Sequence, residues 1–62
     1  MTVAALTRIY AEAAQAYESA QRWIVEAKTD RQRNNATQVA RYAKALKISA
    51  SAAIAEFETD AH

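Results

Sequence analysis

From Val3 to Ala27 the apolar positions fall in alternating steps of three and four: Val3, Leu6, Tyr10, Ala13, Tyr17, Ala20, Ile24 and Ala27. That rhythm is the seam of a helix packed along another helix. Ala36, Val39, Ala43, Leu46, Ala50, Ala53 and Phe57 repeat it in the second half. Between the two runs, Lys28 to Asn35 contain no apolar residue. The pattern predicts a helix over about residues 2–28, a polar turn over about 29–35, and a second helix over about 36–59. Thr2 is a suitable N-cap for the first helix. Asn35 followed by Gln38, and Thr29 followed by Gln32, each resemble a capping box for the second. Asn also tolerates the left-handed conformation that ends many helices.

A single continuous helix is the competing arrangement. Extending the first seam through the break would put Arg31, Asn34, Gln38 and Arg41 at core positions, and the second apolar run is out of phase with it. The favoured fold is therefore all-α, an antiparallel two-helix hairpin forming one domain over 1–62. Folded this way, facing layers have residue numbers that sum to about 63. Ala20 then meets Ala43 and Ala13 meets Ala50. Ile24 is expected against Val39, Tyr17 against Leu46, and Leu6 against Phe57. Small residues facing small residues allow helix axes to approach to about 8 Å.

The first helix has more apolar surface than one neighbour covers. Ala5, Ile9, Ala16 and Trp23 form a second stripe beside the seam, and Ala14 and Val25 extend the other flank. Helix 2 likewise carries Ile48, Ala52 and Ala55 away from its seam. Ile9, Ala16 and Trp23 are the candidate protein-interface residues, because Trp is enriched at the buried centres of interfaces.

Composition sharpens this picture. The chain has 62 residues, with no Gly, no Pro and no Cys. Ala is the commonest residue and the best helix former. A chain this short buries only about 60% of its unfolded surface, and small scaffolds are usually stapled by disulfides, a metal or oligomerisation. Disulfides are excluded and metal ligands are scarce. A homodimer closing into a four-helix bundle, or a protein partner, is the expected staple. Apolar runs never exceed four residues, so neither a transmembrane helix nor a signal-peptide core is expected. A cytoplasmic location is the resulting expectation.

Charge is unevenly distributed. The net charge is +1, but residues 28–47 carry +5, residues 1–27 carry −1 and residues 48–62 carry −3. On the first helix, Arg8–Glu12, Glu18–Arg22 and Arg22–Glu26 are spaced to pair. On the second, Arg33, Arg41, Lys44 and Lys47 form a basic stripe, a candidate contact for nucleic acid or an acidic partner. The pI of about 8.1 favours a solvated face over a nucleic-acid footprint. Glu56, Glu58 and Asp60 cluster near the C-terminal end of helix 2, against the dipole preference.

Catalytic chemistry has little to stand on. Ser19, Ser49 and Ser51 have no internal His partner. Glu58 and His62 are four apart, but two exposed ligands make a weak metal site. The inward Glu and Glu-x-x-His pattern of bundle di-metal sites is absent. No enzyme activity, cofactor, metal, membrane partner or small-molecule substrate is expected.

Length, two-helix layout and the alternation of Ala with large residues resemble the plasmid copy-number regulator Rop, a homodimeric hairpin bundle that holds paired RNA loops. Small two-helix chaperones of type III secretion needle subunits are similar in size and hairpin form, and phage-encoded inhibitors of host proteins are often this small. These likenesses are architectural and carry no functional residue across. The leading expectation is a non-enzymatic protein-binding regulator, adaptor, inhibitor or chaperone. A Rop-like dimeric RNA binder is second, and a structural assembly subunit third.

Overall fold

The computed structural model describes residues 2–60. Two helices pack antiparallel: α1 (Val3–Glu26) and α2 (Asp30–Asp60). The hairpin is a rod of 50 × 15 × 13 Å. Its radius of gyration is 14.4 Å, against about 10.6 Å for a compact domain of this length.

Thr2 caps α1: its Oγ1 accepts a hydrogen bond from the Ala5 amide at 3.1 Å, satisfying one of the unpaired donors of the first turn. Only Ala27, Lys28 and Thr29 connect the helices. The second helix thus begins at Asp30, six residues before the expected start, and α1 ends at Glu26. Of the two candidate caps, Thr29 with Gln32 is the one used. Thr29 Oγ1 accepts from the Gln32 amide at 3.1 Å, and Gln32 Oε1 accepts from the Lys28 amide at 2.9 Å. Asp30 adds an acidic group to the first turn, favourable to the helix dipole. No described residue adopts positive φ, so Asn34 and Asn35 are helical and do not make the turn.

The core is a line of small side chains. Ala13 and Ala20 on α1 and Ala36, Ala43 and Ala50 on α2 are buried at seven-residue spacing, with Leu6 and Ala40 beside them. The Ala layers expected at 13/50 and 20/43 are therefore all inside. Of the larger partners, Leu6 is buried but those on α2 are not. Val39 is 40% exposed, Leu46 37% and Phe57 41%. Tyr17 and Leu46, expected to face each other, lie on opposite flanks, since Tyr17 lines a groove with Lys44 while Leu46 lines one with Ile9. The reason is steric. An alanine ridge on each helix lets the backbones approach closely, and on α2 side chains as large as Val39 and Leu46 are then turned out to the flanks.

The charge pairs expected along α1 are not formed either. Among the described residues the ion pair present is Asp30–Arg33 at 3.1 Å, and Arg22 donates to Ser19 Oγ at 3.4 Å instead. Exposed pairs of this type gain little over solvation, so their loss is cheap. Among the described residues, no helix is long and apolar enough to cross a membrane.

Candidate functional site

Closure of the alanine seam divides the remaining apolar side chains between two flanks. One flank gathers Ile9 and Ala16 from α1 with Val39, Tyr42 and Leu46 from α2 along a shallow groove. Val39 also borders a second groove, toward the turn, with Trp23 and Ala27. The two grooves therefore make one continuous apolar face. Trp23 is 55% exposed and Tyr42 69% exposed. Glu12 and Glu26 are the charged side chains in these linings.

All three candidate interface residues, Ile9, Ala16 and Trp23, lie on this face. Sequence reasoning missed its α2 half. Val39 and Leu46 read as seam residues, and Tyr42 has no place in the heptad rhythm. The signal available was that a seam of alanines leaves no room for the larger side chains flanking it on the same helix.

The opposite flank has different chemistry. Lys44 and Lys47 border a groove with Tyr10, Tyr17 and Ile48. The Lys47 ammonium lies 5.7 Å from the Tyr10 ring centroid and 6.0 Å from that of Tyr17, within range of a cation–π attraction. Of the basic stripe, Arg33 is tied to Asp30, and Arg41 and Lys44 are exposed. The stripe thus does not act as four equivalent free cations. Ile48 is 60% exposed. Val25, on α1, is 85% exposed and borders a small surface hollow with Gln21, Arg22 and Glu26.

No group of three or more His, Cys, Asp or Glu able to hold a metal occurs among the described residues. Of the Glu58–His62 pair, His62 lies outside them. No polar or charged residue is buried among the described residues.

Comparison with protein-family models, with curated proteins and with solved structures gives no significant match.

Proposed function

We propose that this chain is a non-enzymatic protein-binding module that works through the Trp23 face, and that its first partner is a second copy, giving a four-helix bundle. The observation that carries the reading is the surface left uncovered. The hairpin exposes 4964 Å², whereas a folded monomer of this mass is expected to expose about 3950 Å². The excess, about 1000 Å², is larger than the roughly 800 Å² that each partner contributes to a standard interface. Its most apolar part is the Trp23–Val39–Tyr42–Leu46 face, which has the aromatic enrichment of an interface core. Sedimentation velocity across a hundredfold range of protein concentration tests this. A hairpin that stays monomeric throughout, with Trp23 fluorescing as in water, defeats it.

A second reading, an RNA-binding regulator, draws on one observation: Lys44 and Lys47 border the same groove as two tyrosines. Bases stack on aromatic rings while Lys meets phosphate. Lys47 already covers the faces of both rings, so a base would have to displace it, which weighs against this reading. A pull-down from the native host, with and without nuclease, separates the two. A partner that survives nuclease supports protein binding, and one lost with it supports RNA.

A further inference from the structure

Resting on the dimer reading above, we infer that the two copies associate antiparallel, the turn of each hairpin lying beside the open end of the other. With the Trp23 faces opposed, a two-fold axis can lie along the rod or across it. Along the rod, the two turns sit together and α1 of one copy faces α2 of the other. Across it, α1 faces α1 and α2 faces α2, each running in reverse.

Charge favours the crossed arrangement. Helix α2 is basic toward its start and acidic toward its end, with +4 over residues 30–47 and −3 over residues 48–60. Reversing one α2 against another sets basic against acidic. The axis along the rod sets the two basic stretches at the same level.

Two pairings, one on each helix, suit the reversed packing. Trp23 is the largest side chain on the α1 face, and Ala16, one heptad away on the same stripe, is small and exposed. Reversed packing about their midpoint, position 19.5, seats each Trp23 over Ala16 of the partner copy. On the same flank of α2, Arg31 and Glu56 are both exposed, and their midpoint is position 43.5. The Trp23–Ala16 pairing is steric and the Arg31–Glu56 pairing electrostatic, and each runs in the reversed sense that the crossed dimer requires. The first also brings Glu12 opposite Glu26 of the partner copy at the rim, a like-charge contact that solvent and salt screen.

Spin labels on two single-cysteine variants, Asn34→Cys and Ala45→Cys, read the orientation. Both positions are exposed and lie on the outer side of α2. In the crossed dimer the Ala45 labels sit almost level with each other, while the Asn34 labels are separated along the rod by roughly 28 Å at about 1.5 Å per residue. The Asn34 distance should then exceed the Ala45 distance by about 10 Å or more. In a dimer with its axis along the rod the two distances are equal, and that result overturns the inference while leaving the dimer intact. A monomer at label concentration overturns both. Arg31→Glu should weaken the dimer roughly tenfold, by replacing two attractions with two repulsions, and adding Glu56→Arg should restore it. Failure of the double variant to recover affinity where the single loses it overturns the proposed register.

Discussion

Thr29 and Gln32 make the turn: the threonine hydroxyl accepts from the Gln32 amide at 3.1 Å, and the glutamine side chain bonds back to the amide of Lys28. These contacts allow a chain without glycine to reverse in three residues. Thr29→Ala should cost about 1 kcal/mol, the usual loss for a removed N-cap. Asn35→Ala should cost nothing and gain a few tenths of a kcal/mol, because Asn35 is an exposed helical residue and Ala is the better helix former. Urea unfolding at fixed protein concentration compares the two. Greater damage at Asn35 would place the turn where the polar run alone suggests.

The alanine ridge should resist added volume. Ala20 is fully buried, so Ala20→Leu should cost about 1–3 kcal/mol through overpacking or force a new oligomer. Ala11 is exposed, and the same change there should do neither. Thermal melts with sedimentation on both variants check this. Matching effects at the two sites would refute the seam.

Trp23→Ala should move the protein toward monomer and cost about 2 kcal/mol or more of association free energy, as central aromatic anchors do. In the unsubstituted protein, Trp23 emission should shift to the red on dilution. An emission maximum independent of concentration, at the wavelength of exposed indole, argues against a self-contact.

Neutralising Arg41, Lys44 and Lys47 together separates the protein-binding reading from the RNA one. If the stripe binds RNA, affinity should be lost and the salt dependence should flatten by just under one unit for each phosphate contact removed. Filter binding at low salt provides the measurement. An unsubstituted protein that holds no RNA there leaves the stripe as a solvated face.

Much of this arrangement is readable from residue spacing. The hairpin follows from two apolar rhythms out of phase across a polar break, and the burial of Ala13, Ala20, Ala43 and Ala50 follows from their heptad spacing. The start of α2 is not readable from polarity alone. Asp30 to Asn35 are polar because that stretch of helix faces water, and polarity marks exposure whether the backbone is coiled or helical. The outward turn of Val39 and Leu46 is equally hidden. In a heptad pattern they are indistinguishable from core residues, and only the close approach allowed by Ala36, Ala43 and Ala50 decides which side of the ridge they take. The Trp23 face was half legible, since Ile9, Ala16 and Trp23 share one helix whereas Tyr42 joins them only through the tertiary fold.

A core of six alanines and one leucine has a thermodynamic consequence. Each buried methyl contributes only about 0.8 kcal/mol, little against the entropy lost by ordering both helices. Most of the driving force is left to groups still wet in the single hairpin. If the chain dimerises as proposed, folding and assembly become one equilibrium governed by mass action, and the melting temperature should rise with protein concentration. Its abundance in a cell would then set how much of it is folded.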